Sequence, residues 1–475
     1  MRDFEILLRE SLPENAASAL IDVLGDGSSS AEVSIRLNPL KVSGSGSGSD
    51  LCSGFDMRPV PWCGDAFFLS GRPNFTLDPA FHAGAYYVQD SSSMFPALVA
   101  DKILESLSGV YSGGPGGAVL DLCASPGGKS THLISLLSGT GALAVCNEAV
   151  GKRVPPLTDN IAKWGAGNVI VTNTSAACLG SMAGFFDVIL ADVPCSGEGM
   201  FRKSADAVSG WSLASVKECA ALQRSIISDV WPALREGGLL IYSTCTYNHI
   251  ENQDNVAYIA EELEAEFVPV LASVEGLISL PWGYQFVPGL VPGEGQFFAV
   301  LRKTSSASGR RKPVRKARFV SAGGDGLVLD RQNNQIYQFG HSLDFANGIS
   351  EVSPGSVKSL GCRVGEIKAG KIIPDADLAL STALLGAENG QISVNSGVCG
   401  KVSALEFSCA EIDKETALKF LSRENITPQP SWPRGYILLR YRSLGLGFVN
   451  NLGNRCNSLH PLMRRIRTYN PMQGA

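Results

Sequence analysis

Between residues 119 and 137 the chain reads VLDLCASPGGKSTHLISLL, and this stretch constrains the fold more than any other. Val119, Leu120 and Leu122 make a short apolar strand with Asp121 at its carboxyl end. Pro126, Gly127 and Gly128 break that pattern, and Leu133, Ile134, Leu136 and Leu137 then recur at helical spacing. Strand, glycine turn and helix in that order mark the place where an open α/β sheet binds a nucleotide-like ligand. The glycines let the backbone approach closely, and the helix start offers free N–H groups to polar ligand atoms. A tight βα turn with no ligand would read the same way in isolation.

The segments around it continue the alternation. A helix is expected over 94–107, strands over 142–150, 168–173 and 185–195, and a fifth strand over 237–245 after a long helix around 213–235. QFFAVLRK, 296–303, reads as a closing edge strand. The strands are short and rich in Val, Ile and Leu, as in a parallel sheet covered on both faces. The second ends at Asn147 and Glu148, and an acid one strand beyond a glycine turn suits two ribose hydroxyls, though a solvated loop acid fits the same position. Pro155 and Pro156 predict that the following helix starts late or is irregular.

At 475 residues the chain has room for roughly three domains. No apolar run reaches the roughly 18 residues of a membrane span, and MRDFEILLRE carries charge throughout, so a cytoplasmic protein is expected. The 12 cysteines form no CxxC pair, which indicates neither a metal site nor a disulfide framework. The net charge of −5 does not suggest a nucleic-acid partner, but the distribution does. Arg302, Lys303, Arg310, Arg311, Lys312, Arg315, Lys316 and Arg318 form one basic run, and Arg464, Arg465 and Arg467 another. Residues 1–24 read as two helices parted by Pro13, 34–41 as a strand with a basic end, and 43–50 (SGSGSGSD) as a flexible loop. Arg36 and YYVQDSS (86–92) are read either as RNA contact and cofactor-side support or as parts of an ordinary small α+β module. Residues 304–318 resemble a linker; 361–374 a hairpin; 417–425 a short helix; and 434–467 a strand, glycine-rich turn, strand and basic end.

Two cysteines stand in polar turns after apolar strands, Cys195 in ADVPCSGEG and Cys245 in YSTCTYN. Carboxyl ends of parallel strands are where such a sheet places its chemistry, whereas a structural cysteine more often sits within the strand. Asp192 precedes Cys195 by three residues, with Pro194 fixing the turn.

CASPGGK (123–129), VPCSGEG (193–199) and STCTYN (243–248) closely resemble three motifs of the RNA cytosine-5 methyltransferases, the Sun/NOP/NSUN superfamily, and the arrangement looks most like the bacterial RsmF-type rRNA enzymes. The resemblance covers nearly the whole chain. It implies an α/β, Rossmann-like class I methyltransferase domain over 94–303, a small α+β RNA-binding module over 1–93, a basic linker over 304–322 and a β-rich PUA-like RNA-binding domain over 323–475. It implies S-adenosyl-L-methionine as cofactor, bound by Cys123, Ala124, Ser125, Pro126, Gly127, Gly128, Lys129, Glu148 and Asp192. Cys245 takes the part of the nucleophile at carbon 6 of cytosine, Cys195 assists loss of the carbon 5 proton, and Asp192 hydrogen-bonds ring nitrogen 3 and the exocyclic amine. The target base must leave its stack to reach a thiol in a cleft. The implied partner is RNA, small-subunit rRNA by the PUA-like ending, with no membrane or metal and no need for more than a monomer. Phe201, Arg202 and Lys203 are placed to touch that RNA or to form a solvated loop, and Arg440, Arg442, Arg455, Arg464, Arg465 and Arg467 to meet its phosphates. The sequence departs from the family pattern at Ser175, where an acid is usual and Asn173 stands near, at Gln285 and Gly289 in place of Arg and His, and at Ser458 in place of an Asn. A tRNA cytosine-5 methyltransferase and a non-catalytic ribosome-assembly factor are the alternatives. A DNA cytosine-5 enzyme is a weaker one, because it would lack STCTYN and the PUA-like end.

Overall fold

The computed structural model describes residues 2–26, 32–42, 56–95, 99, 117–270, 274–306, 317–322, 326–396 and 401–467. The flexible loop over 43–50, most of the helix over 94–107, and Arg310, Arg311, Lys312, Arg315 and Lys316 lie outside these residues.

The centre is one ten-stranded sheet. Its parallel heart is β9 (Leu234–Thr244), β8 (Phe186–Asp192), β5 (Ala118–Asp121), β6 (Leu143–Asn147) and β7 (Val169–Thr172), in that spatial order. Every residue of β5, β6 and β7 is buried, because apolar cores lie against both faces of the sheet. The chain runs outward from β5 through β6 to β7, then returns to lay β8 on the other flank of β5. That reversal opens a crevice at the carboxyl ends of β5 and β8.

Two details differ from the sequence expectation. QFFAVLRK is β13 (Gln296–Lys303), and it is interior, pairing antiparallel with β9 on one side and β12 (Gly283–Phe286) on the other. Its Lys303 is buried and donates to the carbonyls of Trp231 and Leu234, so it belongs to no basic surface. The far edge, β7, is covered antiparallel by β17 (Val357–Leu360), a strand supplied from the C-terminal third. The helix after β6 spans Val154–Trp164 and begins with Pro155 and Pro156 in its first turn, where a missing N–H costs nothing.

The N-terminal module pairs β2 (Met57–Val60), β3 (Cys63–Leu69), β1 (Val33–Leu37) and β4 (Tyr86–Val88) in that order. Arg36 on β1 touches no solvent. It donates to Gln89 Oε1 at 3.0 Å, to the Gly128 carbonyl at 3.1 Å and to Thr131 Oγ1 at 2.6 Å, and its guanidinium lies 4.7 Å from the Trp164 ring centroid. Burial lowers its pKa to about 10. Arg36 is thus a rivet between the module and the helix of the glycine turn, and its burial removes the RNA-contact reading. The two N-terminal helices, Arg2–Ser11 and Glu14–Gly25, place Phe4, Leu8 and Leu20 in a small core with Phe201, Tyr247 and Val287.

The C-terminal third folds as two five-stranded sheets. One orders β14 (Phe319–Ser321), β15 (Leu327–Asp330), β16 (Gln335–Gln338), β18 (Cys362–Lys368) and β19 (Lys371–Pro374). The other orders β20 (Asn389–Ser396), β21 (Lys401–Glu411), β22 (Gly435–Tyr441), β23 (Leu444–Asn451) and β24 (Cys456–Ser458). The turn between β22 and β23 is Arg442–Ser443, with φ of 52° and 64°, and is not glycine-rich. Gly445 and Gly447 sit within β23, where an added Cβ would come 1.9 Å from the Ala379 carbonyl and 2.5 Å from the Phe420 ring. The first and last parts of the chain share a core: Ile35, Leu37 and Phe75 pack with Phe420, Ile437 and Val449.

Replacing Arg36 by Ala empties a buried site and strips Gln89 and Thr131 of a partner. A loss of about 2 to 4 kcal/mol is expected, read as a lower thermal unfolding midpoint. An unchanged midpoint would contradict the rivet.

Candidate active site

At the crevice, Gly127 (φ 113°) turns the chain into the helix Gly128–Leu136. A Cβ on Gly128 would press on Tyr87 at 3.3 Å and Gln89 at 3.4 Å, so the module β-strand and the turn meet across this glycine. Beside it lies a cavity of about 220 Å³. Cys123, Ala124, Ser125, Pro126, Gly128, Lys129 and Asp192 line it, together with Asp121 and, from the N-terminal module, Tyr87, Gln89 and Asp90. Of the 86–92 stretch, Tyr87, Val88, Gln89 and Asp90 line this cavity. Gly127 and Glu148 are not in the wall.

Glu148 follows β6 and is 3% exposed. Its Oε1 accepts the Val150 amide at 2.8 Å. Its Oε2 is buried without a hydrogen bond, with Arg153 Nη1 at 3.5 Å. Arg153 in turn donates to the Ser125 carbonyl at 2.7 Å, tying the loop after β6 to the glycine turn. Asp121 is also buried; Ser130 donates to its Oδ2 at 2.6 Å, while Oδ1 has no partner. Desolvation pushes the Asp121 carboxyl up to about 7. Asp121 thus gives the cavity wall a carboxyl with one bare oxygen, and Glu148, outside the wall, keeps another; an unpaired acceptor suits a hydroxyl or amine donor.

Asp192, at the end of β8, is held from three sides. Lys129 Nζ lies 3.0 Å from Oδ2, while Ser243 Oγ at 2.8 Å and Gln296 Nε2 at 3.1 Å donate to Oδ1. The Lys129 pKa stays raised, the pull of Asp192 outweighing the cost of burial. Three residues on, Cys195 Sγ comes 3.1 Å from Cys245 Sγ. The meeting follows from register: Asp192 pairs with Ser243 across parallel β8 and β9, so the turns after both strands leave the sheet side by side. The Cys195 thiol is pushed well above its usual range, first by its hydrogen bond to the Cys245 sulfur and then by burial. Either sulfur can donate across this contact.

Several sequence candidates have other work. Phe201 is core, its ring centroid 5.1 Å from that of Phe4 and tilted 57° to it. Arg202 is 10% exposed and paired with Glu294 at 2.8 Å; Lys203, half-exposed, reaches the same carboxylate at 3.2 Å. Ser175 caps a short helix by accepting the Cys178 amide, and Asn173 gives its amide to the carbonyls of Glu148 and Ala149. Gln285 is buried in β12, and Gly289 (φ 92°) sits where a Cβ would meet the Ala19 carbonyl at 2.9 Å, so a side chain there would push out an N-terminal helix. Arg318 is locked on buried Asp330 at 2.6 Å, Arg464 pairs with Asp159 and Asp377, and Arg440 donates to the carbonyls of Leu384 and Ala387. Arg442, Arg455, Arg465 and Arg467 are exposed. Asp121, Ser243 and Gln296 were missed as site residues; Gln296, a lone polar residue opening an apolar strand, carried the clearest signal.

Comparison with known proteins agrees along the chain. The model of the family described as 16S rRNA methyltransferase RsmB/F matches residues 113–302. Those of the N-terminal domain of 16S rRNA methyltransferase RsmF and of the methyltransferase RsmF PUA domain match 2–91 and 407–466. Ribosomal RNA small subunit methyltransferase F of Photobacterium profundum is 27% identical over 471 residues, 94% of each chain. The protein of the same name in Cronobacter sakazakii is 35% identical over 329 residues, 65% of this chain and 64% of its own. The solved structure of NSun6 from Pyrococcus horikoshii with SFG superposes with a TM-score of 0.52 at 19% identity, over 64% of this chain and 99% of that one, a likeness of fold. Three models thus match the chain in succession, and a Rossmann-like domain similar to the 16S rRNA methyltransferases RsmB/F lies between a match to the RsmF N-terminal domain and one to the RsmF PUA domain.

Proposed function

We propose that the chain methylates carbon 5 of a cytosine in small-subunit ribosomal RNA, with S-adenosyl-L-methionine as donor and a covalent cysteine–base adduct on the way. The observation that carries this reading is the pair of thiols 3.1 Å apart beside Asp192 and the cavity of the glycine turn. The rRNA substrate is supported by the names of the family and of its relatives.

The cofactor fits the donor set. The turn 123–129 offers backbone N–H groups and a cavity wall, and the bare Oε2 of Glu148 suits ribose hydroxyls. Asp121 Oδ1 offers one further acceptor. Bound there, S-adenosylmethionine supplies a methyl group on a sulfonium, an electrophile.

Carbon 5 of cytosine is too weak a nucleophile to take that methyl unaided. The Cys245 thiol gives its proton to solvent, its sulfur adds to carbon 6, and the displaced electron pair moves through the ring, making carbon 5 nucleophilic. Asp192 accepts hydrogen bonds from the exocyclic amine and from ring nitrogen 3 once that nitrogen gains a proton, and Lys129 balances the charge beside it. After carbon 5 takes the methyl, the Cys195 sulfur removes the carbon 5 proton, and the carbon 6–sulfur bond breaks to return Cys245. To act as that base Cys195 first releases its own proton to solvent, and it is the thiolate that takes the carbon 5 proton. The exposed Arg442, Arg455, Arg465 and Arg467 are assigned to RNA phosphates.

Cys245→Ala should abolish methyl transfer and leave cofactor affinity within about twofold, because that thiol acts only on the RNA. Cys195→Ala should still add to the base but release it poorly, seen as a protein–RNA band that survives denaturing electrophoresis. Turnover by the first variant, or normal turnover without such a band in the second, would refute the roles. Glu148→Ala should raise the cofactor dissociation constant roughly tenfold to a hundredfold by calorimetry, for the loss of charged hydrogen bonds. An unchanged constant would remove Glu148 from the ligand shell.

A further inference from the structure

We propose that Glu198 and Glu251 are positioning residues that exchange hydrogen bonds across the two cysteine turns and so give the two thiols their separate roles. The proposal rests on the cytosine reading above and extends it to residues that do not touch substrate.

Each carboxylate grows from one cysteine's segment and serves the other's. Glu198, three residues beyond Cys195, is 1% exposed. It accepts from the Tyr247 amide at 2.8 Å, from Asn248 Nδ2 at 2.9 Å and from the Thr246 hydroxyl, all just after Cys245. Trp211 Nε1 adds a fourth donor at 3.0 Å. Glu251, six residues beyond Cys245, is fully buried and reaches back. It accepts from the Ser196 amide at 3.0 Å, next to Cys195, and from Gln223 Nε2 at 2.7 Å; the same Gln223 nitrogen donates to the Pro194 carbonyl at 2.9 Å. Asn248 Nδ2 bridges the two acids, lying 2.9 Å from each. The Gly199 amide donates to the Cys245 carbonyl at 2.8 Å, and a Cβ on Gly199 would come 2.6 Å from that oxygen.

Neither acid has a cation among the ion pairs of the described residues. Two buried carboxylates met only by neutral donors are a costly arrangement, and fold alone does not require it, since amides could crosslink two turns. What the Glu251 carboxylate adds is negative charge beside the Cys195 sulfur. The groups that face Cys195 are Cys245 on the neighbouring turn, Glu251 and Tyr242; Cys245 in turn faces Lys129 and Tyr247. Glu251 therefore disfavours charge on Cys195, while Lys129 stands on the Cys245 side. The crossed acids hold the sulfurs within reach and bias the shared proton toward Cys195.

The test uses the full chain with Glu251→Gln and Glu198→Gln, and Glu251→Asp as the variant that keeps the charge. Three quantities are read: cofactor affinity, methyl transfer to rRNA, and the pH dependence of alkylation of each cysteine by iodoacetamide, resolved by peptide mass spectrometry. For Glu251→Gln the alkylation midpoint of Cys195 should move to lower pH, transfer should fall on the order of tenfold to a hundredfold, and cofactor affinity should hold. Glu251→Asp should keep the alkylation profile of the unaltered protein. A fall in transfer with an unmoved profile would make the acids purely structural and overturn the proposal, as would unchanged transfer in both Gln variants. A Cys195→Ala protein that forms no RNA adduct, while the alkylation shift of Glu251→Gln holds, overturns the cytosine reading and leaves the thiol positioning standing.

Discussion

Two sulfur atoms 3.1 Å apart, from residues fifty positions apart, set the terms for the rest of the molecule. Nothing local brings them together. They meet because β8 and β9 are adjacent and parallel, with Asp192 level with Ser243, so that both turns leave the same end of the sheet. A shift of register by one residue would turn every side chain over and part the thiols. The antiparallel lattice of β12 and β13 on one flank and the β17 cover on the other protect that register, since neither flank of the parallel heart is left as an open edge.

The outer parts of the chain work through the crevice as much as around it. The N-terminal module lends Tyr87, Gln89 and Asp90 to the cavity wall and is fastened to the glycine-turn helix by buried Arg36. The C-terminal third gives β17 to the central sheet, and the Ser356 carbonyl accepts the Asn173 amide beside the Glu148 loop. It also shares a core with the first module. Arg464 joins the helix Val154–Trp164 to the segment at Asp377. What reads as a string of three parts is closed by these contacts into a ring of supports around one ligand site.

Much of the central unit was legible because its signals are local. A strand, a glycine turn and a helix are written in consecutive residues, and the cysteine motifs sit where strand patterns end. The arginines were not legible. Arg36, Arg202, Arg318 and Arg464 look like RNA contacts in a sequence, yet each is buried or nearly so against a partner far along the chain. Burial of a charge is a property of the assembled fold. The same holds for Glu198, whose motif position was visible, and for Glu251, which lies outside every motif; their crossed hydrogen bonds were not legible, nor was the place of QFFAVLRK, whose second neighbour, β12, is a short strand without a strong pattern of its own.

The central claim is that this sheet methylates cytosine at carbon 5 in ribosomal RNA. The most direct measurement is tritium transfer from labelled S-adenosylmethionine to naked small-subunit rRNA, assembled small subunits and bulk tRNA, followed by nuclease digestion and nucleoside chromatography. The account predicts label in 5-methylcytidine from an rRNA sample and none in tRNA. Label confined to tRNA, label in any other nucleoside, or no label at all would contradict it.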